Sequence, residues 1–117
     1  MNILLLSLGL ESILEFIPPP ANLGFVGTAG EPYEDPYFVR ADRERLSKLG
    51  YELTELDVTH SSKSQLESAL ASLDGIFVAG GNSFYLLQQF KKSGMIDLVR
   101  KFVSEGGAYI GASAGAA

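Results

Sequence analysis

Short apolar runs alternate with amphipathic helical patterns along this sequence, and the alternation constrains the fold more than any other feature. Four of five candidate strands are apolar with little polar alternation, as expected of parallel strands covered on both faces. The candidate strands are Ile3–Leu8, Leu23–Gly27, Tyr51–Val58, Gly75–Ala79 and Ala108–Gly111. The third candidate alternates more regularly, which predicts an edge strand. The order β-α-β-α-β-α-β-α-β predicts an α/β fold, a three-layer, doubly wound and mainly parallel five-stranded sheet.

Local signals predict where the helices begin and end. Asp35-Pro36 is typical of an N-cap followed by proline at the first helical position, and Gly50 of a left-handed helix end. The four residues Ser64–Glu67 have the spacing of a capping box. A weaker helix, Glu11–Ile17, should end at the three prolines that follow it. Three apolar stripes should face the sheet: Leu66, Leu70 and Leu73; Phe84, Leu86, Leu87 and Phe90; Ile96, Val99, Phe102 and Val103.

Composition limits the class of protein. A chain of 117 residues with 46% apolar and 20% charged residues can bury a core of its own, so residues 1–117 are expected to form one domain. The net charge of −5, without a basic cluster, argues against nucleic acid and anionic membranes as partners. The absence of cysteine excludes disulfides, thiolate metal sites and a cysteine nucleophile. No apolar run is long enough to span a bilayer, and we expect a cytoplasmic protein.

The last residues contain a candidate nucleophile. In a doubly wound sheet, functional groups collect beyond the carboxyl ends of the strands. The segment Gly111–Gly115 reads G-A-S-A-G and fits G-x-S-x-G, a strained strand-to-helix turn that exposes a serine. Ser113 would be that serine, and the N–H of Ala114 would point at a developing oxyanion. Small residues produce this pattern often by chance, but its position directly after an apolar strand strengthens the interpretation.

A second glycine-rich stretch follows the fourth candidate strand. Gly80 and Gly81 form a turn there, and Asn82 can cap the helix that follows. Free N–H groups at such a turn could bind an anion or supply a second oxyanion donor. The simpler interpretation is a plain strand-to-helix turn with an Asn cap, and this stretch alone would not displace it.

Together, the stretches "FVAGGNSFYLLQQFKKSG" and "GGAYIGASAGA" resemble the peptidase E, or alpha-aspartyl dipeptidase, family, to which cyanophycinase is related. The resemblance covers the amino-terminal half of a typical member. It implies a class I glutamine amidotransferase-like (flavodoxin-like) fold and serine-type peptidase chemistry on short peptides. No metal or cofactor is expected, because the sequence has neither a His/Asp spacing typical of a metal site nor a nucleotide-binding glycine motif. By resemblance, Ser113 is the catalytic nucleophile and the N–H groups of Gly81 and Ala114 form the oxyanion hole. The supporting residues of the two turns would be Gly80, Asn82, Gly111 and Gly115.

The sequence departs from the family pattern in several places. Ala79 replaces a glycine, Ser83 replaces a threonine, and Ala112 stands where a larger residue is common, which puts narrow aspartyl specificity in doubt. The larger departure is that the family's catalytic histidine and acid follow the nucleophile, so we expect the domain to be incomplete at its C-terminus and nearly inactive alone. The one histidine, His60, is expected to lie in a loop beyond reach of Ser113 of the same chain, and its supply by a second subunit stays open.

Two alternatives remain open. The chain could be a shortened, non-catalytic relative that acts as an association or small-ligand-binding module. The motivation is that the strand leading to Ser113 should lack a neighbour, and self-association or a complementing C-terminal part could cover its free edge. Glutaminase chemistry on the same fold is disfavoured because the chain has no cysteine.

Overall fold

The computed structural model describes residues 3–6 and 12–112, which form a five-stranded sheet with every neighbouring pair of strands parallel. The strands are β1 (Ile3–Leu6), β2 (Asn22–Val26), β3 (Glu52–Glu55), β4 (Gly75–Val78) and β5 (Ala108–Ala112). They lie in the order β1-β5-β4-β2-β3. The predicted fold class is confirmed, although β3 is shorter than its predicted range.

Helices cover both faces of this sheet. The helices are α1 (Ser12–Phe16), α2 (Tyr37–Lys48), α3 (Lys63–Leu70), α4 (Ser83–Ser93) and α5 (Met95–Ser104), and a 3-10 helix spans Thr28–Gly30. On one face, α1 and α2 pack into the same apolar cluster as Phe25, Phe77 and Ile110. On the other, α3, α4 and α5 pack against Val26 and Ile76. The result is the expected three-layer arrangement.

A pair of stacked rings joins the two strands at the centre of the sheet. Phe25 of β2 and Phe77 of β4 are register partners, and their ring centroids lie 5.5 Å apart at an interplanar angle of 17°. Both side chains are fully buried. Such pairs contribute about 0.5–1.5 kcal/mol beyond the burial of their area. They also fix the register on which the loops after β2 and β4 depend.

The two sheet edges differ from the prediction in one respect. The edge position predicted for the third strand is confirmed, because β3 is the terminal strand beside β2. The strand that leads to Ser113 was expected to have a free edge, and this is wrong: β5 lies between β4 and β1. The other terminal strand is β1, where Leu5 is 76% exposed.

Two helix starts lie at other residues than predicted. Helix α3 has its capping box at Ser62 and Gln65, not at Ser64–Glu67: Ser62 Oγ accepts from the Gln65 N–H at 3.2 Å, and Gln65 Oε1 accepts from the Ser62 N–H at 2.8 Å. Pro36 itself is the N-cap of α2 and receives no side-chain cap. The carboxylate of Asp35 instead pairs with Arg40 at 2.7 Å. The predicted left-handed residue after α2 is confirmed, with a φ of +104° at Gly50.

The predicted apolar stripe of α4 combines residues from two faces of the helix. Phe90 is buried and Leu86 packs against the same cluster, whereas Phe84 is 87% exposed and Leu87 is 48% exposed. Residues four apart share a face, but neighbouring residues point about 100° apart, so one helix cannot turn all four to the sheet. The predicted burial of Phe84 and Leu87 is therefore wrong.

Helix α5 shows a smaller difference of the same kind. Its most buried side chains are Met95 and Leu98, which the predicted stripe omitted. Ile96, Val99 and Phe102 are only partly buried against the cluster. The face of α5 that packs most deeply therefore carries Met95 and Leu98, three residues apart, beside the predicted stripe.

Removing the Phe77 ring should destabilise the protein far more than removing the Phe84 ring. Phe77→Ala should lower the free energy of unfolding by about 3–5 kcal/mol, because it leaves a cavity beneath Phe25. Phe84→Ala, the matched control, should change it by less than about 0.5 kcal/mol because that ring is exposed. Urea denaturation followed by circular dichroism measures the unfolding free energy of each variant. Equal losses of stability would contradict the assignment of Phe77 to the core and of Phe84 to the surface.

Candidate functional site

The candidate site lies at the carboxyl rim of the sheet, where β4 and β5 end side by side. Val78, the last residue of β4, is the register partner of Gly111 in β5. Gly111 is in turn the register partner of Leu5 in β1. The structure therefore brings the predicted residues Gly80 and Gly111 to one rim. Ser113, Ala114 and Gly115 lie outside the described residues.

The turn after β4 has a backbone that accepts only glycine at one position. Gly81 has a φ of +147°, and a Cβ there would overlap the carbonyl oxygen of Ala29. The next N–H, that of Asn82, donates to the same carbonyl at 2.8 Å. Within residues 3–6 and 12–112, the Gly81 N–H donates no hydrogen bond. The turn is thus held against the 3-10 helix by the neighbouring residue, and one N–H remains for a ligand.

Asn82 caps α4 as predicted. Its side-chain Oδ1 accepts a hydrogen bond from the Tyr85 N–H at 3.0 Å. The N-terminus of α4 consequently begins at the glycine turn, so its positive dipole end lies at the same rim. An oxyanion at this turn would be stabilised by the Gly81 N–H and by the positive end of the α4 dipole.

Replacing Gly81 should be more damaging than replacing another left-handed glycine. Gly81→Ala should cost on the order of 3 kcal/mol of unfolding free energy, from backbone strain plus the overlap with Ala29. Gly106 has a φ of +100°, but a Cβ there has no neighbour within 4 Å. Gly106→Ala should therefore cost only about 1 kcal/mol. Thermal and urea unfolding give both values, and a Gly81→Ala variant as stable as Gly106→Ala would contradict the close approach.

A carboxylate ties together three segments of the rim. Glu31 Oε1 accepts hydrogen bonds from the Tyr85 hydroxyl at 2.8 Å and from the Thr59 hydroxyl at 2.7 Å. The hydrogen bond to the Glu31 carboxylate is the main cause that raises the pKa of Tyr85 above its ordinary value. No pattern in the sequence singles out Glu31. Only the folded chain shows that loops far apart in sequence meet at this side chain.

His60 lies away from the strand that leads to Ser113. Its Nδ1 is 3.0 Å from Asp57 Oδ2, and its side chain is 75% exposed. It follows β3, which is three strand positions from β5, a separation of about 14 Å at the usual spacing. His60 therefore stands where the sequence placed it, in a loop, and the described geometry gives it no route to the β5 rim.

A cavity of about 580 Å³ opens beside His60, at the ends of β2 and β3. Arg43, one of the two arginines that line it, donates two hydrogen bonds to the Glu55 carboxylate, at 2.8 and 2.9 Å. The hydrogen bond to Glu55 raises the pKa of Arg43. The guanidinium also lies 4.6 Å from the centroid of the Phe25 ring. These contacts make Arg43 a structural brace between α2 and the sheet.

Residues 3–6 and 12–112 contain no group of three His, Asp or Glu side chains that could hold a metal ion. None of the helices in those ranges is long and apolar enough to cross a membrane.

Curated relatives match this chain over most of its length. An uncharacterized peptidase of Listeria innocua is 40% identical over 92 residues, covering 79% of this chain and 44% of the relative. An uncharacterized peptidase of Pasteurella multocida is 34% identical and covers 81% and 46%. The Peptidase E of Shewanella denitrificans is 32% identical and covers 91% and 45%. The chain thus spans a little under half the length of these relatives.

Solved structures show the same fold. A putative peptidase E protein from Listeria monocytogenes superposes with a TM-score of 0.89 at 33% identity, covering 97% of this chain and 59% of that one. A peptidase from an acI-B1 actinobacterium, 18% identical, shares the fold with a TM-score of 0.72. The sequence itself matches Peptidase family S51 over residues 6–117. This chain belongs to Peptidase family S51.

Proposed function

We propose that this chain carries the nucleophile-bearing part of a serine-type peptidase that hydrolyses short peptides by acyl transfer. One observation carries the proposal. Strand β5, which leads directly to Ser113 in the sequence, ends beside the glycine turn after β4, where the Gly81 N–H has no acceptor among the described residues. Membership of a peptidase family and relatives named Peptidase E support the hydrolysis of peptide bonds. The short-peptide substrate is what the sequence resemblance to alpha-aspartyl dipeptidases implies.

The proposed chemistry has two stages. Ser113 Oγ attacks the peptide carbonyl carbon, and the N–H groups of Gly81 and Ala114 stabilise the oxygen that becomes negative. The carbon–nitrogen bond then breaks, and the amine leaves with the proton that the serine lost. Water attacks the resulting ester, releases the acid and restores the serine hydroxyl.

The proton acceptor is the missing component. A serine hydroxyl is a weak nucleophile near neutral pH without a base. His60 is the one histidine in the sequence, and β3, which precedes it, is three strands from β5. We therefore assign the base and its acidic partner to the portion of the relatives' length that this chain does not span. A cytoplasmic location, expected because no apolar run is long enough to span a bilayer, stays a prediction.

The 117-residue chain should react only slowly with a fluorophosphonate probe. Loss of the base typically lowers the rate by about 1,000-fold or more, so labelling should hardly exceed that of Ser113→Ala. Labelling is measured by intact-mass spectrometry over time. Rapid, Ser113-dependent labelling of the isolated chain would show that the base lies within these residues.

A chimera tests the nucleophile itself. The chain is extended by the C-terminal part of the Listeria innocua relative, the portion of that relative's length that this chain does not span. The chimera should be labelled quickly, Ser113→Ala should abolish the labelling, and Ser72→Ala should not, because Ser72 precedes β4 at the opposite end of the sheet. Labelling that survives Ser113→Ala would overturn the assignment of the nucleophile.

A second candidate function is a non-catalytic association module. The observation that favours it is the outer edge of β1, where Leu5 is 76% exposed on a terminal strand. Unpaired strand edges with apolar side chains recruit further strands.

Size-exclusion chromatography with light scattering discriminates between the two candidates. If the association module is correct, the chain should elute as a dimer or larger, and Leu5→Lys should shift it to the monomer mass of 12.5 kDa. Lys63→Gln, a surface change on α3, serves as the control. A chain that stays monomeric at high concentration would remove the reason for this candidate.

A further inference from the structure

A second cavity, of about 600 Å³, lies between α4 and the loop after the 3-10 helix. It is lined by Pro32, Asn82, Phe84, Tyr85, Leu87, Gln88 and Lys91. Four of these residues, at positions 84, 87, 88 and 91, follow the i, i+3, i+4, i+7 pattern of one helix face. The α4 groove, as we call this cavity, is therefore walled by the face of α4 that points away from the sheet.

The position of the α4 groove in the fold favours a ligand. From β2 the chain moves along the sheet to β3, and from β4 it moves in the opposite direction to β5. The winding direction therefore reverses between the neighbouring strands β2 and β4. Ligands of doubly wound proteins bind beyond the strand ends at such a point. The groove also begins at Asn82, the residue after the proposed oxyanion donor Gly81.

The walls of the α4 groove are apolar at one end and cationic at the other. Phe84 and Leu87 are 87% and 48% exposed, which is unusual for large apolar side chains on one helix face. Lys91 forms no ion pair with any residue in the described ranges. An apolar wall followed by an uncompensated ammonium group suits a ligand with an apolar side chain and a carboxylate.

The length of the α4 groove limits the size of that ligand. Phe84 and Lys91 are seven residues apart, or about 10 Å along the helix axis. Helical side chains lean toward the N-terminus, which brings the lysine ammonium a few Å closer to the glycine turn. An extended peptide advances about 3.3–3.6 Å per residue, so two or three residues span the distance.

We propose that the α4 groove binds the part of a short peptide that follows the scissile bond, with an apolar side chain against Phe84 and Leu87 and the terminal carboxylate at Lys91. This inference rests on the proposed function, because it takes the Gly81 turn as the place of the scissile carbonyl. If the α4 groove binds peptides in this way, the peptide bond that is cleaved lies close to the free C-terminus of the substrate, and an apolar residue follows it.

The experiment is a peptide titration of the ¹⁵N-labelled 117-residue chain carrying Ser113→Ala, followed by amide chemical shifts. The probes are Ala-Leu-Ala with a free carboxylate, the same tripeptide as its C-terminal amide, and Ala-Asp-Ala. Ala-Leu-Ala should shift the amides of residues 82–91 at millimolar concentration. The amide form and Ala-Asp-Ala should each bind about threefold or more weakly, since one lacks the charge for Lys91 and the other the apolar side chain.

Matched variants identify the two contacts. Lys91→Gln should weaken Ala-Leu-Ala about threefold and leave its amide form unchanged. Lys92→Gln is the control: it removes the same charge one residue later, outside the groove lining, and should change neither. Phe84→Ser should weaken both leucine peptides about fivefold without changing the preference for a free carboxylate.

The outcomes separate this inference from the proposed function. Equal binding of all three peptides, or shifts confined to residues outside 82–91, would overturn the α4 groove as a subsite, whatever the chimera shows about Ser113. Shifts that follow protein concentration instead of peptide concentration would also overturn it, because the groove would then hold a second copy of the chain. Groove binding together with a chimera labelled independently of Ser113 would overturn only the nucleophile assignment.

Discussion

The close approach of Gly81 to the Ala29 carbonyl determines the shape of the candidate site. This carbonyl belongs to the 3-10 helix after β2, while Gly81 belongs to the turn after β4, so the contact joins the two loops at the point where the winding of the sheet reverses. Because the Asn82 N–H donates to that carbonyl, the N–H one residue earlier stays available, and α4 starts in a fixed direction. The geometry of the Gly81 turn and of the upper end of the α4 groove both follow from this contact.

The core beneath the loops keeps them in place. The stacked rings of Phe25 and Phe77 hold β2 and β4 in register, each ring four residues before the Ala29–Gly81 contact. Parallel pairing of β4 with β5 then extends the same register to Gly111. A site that depends on backbone N–H positions needs such support, because errors of about 0.5 Å already weaken oxyanion-type hydrogen bonds.

The sequence predicted the parts of the structure that depend on local pattern. Apolar runs identified all five strands, and the Gly-Gly-Asn stretch identified a strand-to-helix turn with an Asn cap, because burial and capping leave direct marks in the residue types. It failed where the outcome depends on tertiary contacts. Leu86 and Leu87 are both leucine, and only the position of the sheet decides which one packs. Asp35 had an ordinary capping pattern but pairs with Arg40 one turn into the helix.

The hydrogen bonds at Glu31 anchor the first turn of α4, the turn on which Phe84 faces solvent. Tyr85 follows Phe84 in the sequence, and its hydroxyl donates to Glu31, which also accepts from Thr59 in the loop after β3. The first turn of α4 is therefore anchored through Tyr85 on the side of the loops, and Phe84, about 100° away around the helix, points to solvent. The pKa of Tyr85 is raised above an ordinary value that is already near 10, so the hydroxyl keeps its proton and the anchor persists throughout the neutral pH range. Core packing alone would leave the outer face of α4 free to carry polar residues. The large apolar side chains found there, beside an anchored turn and a glycine that tolerates no Cβ, are better explained by a ligand than by the stability of the fold.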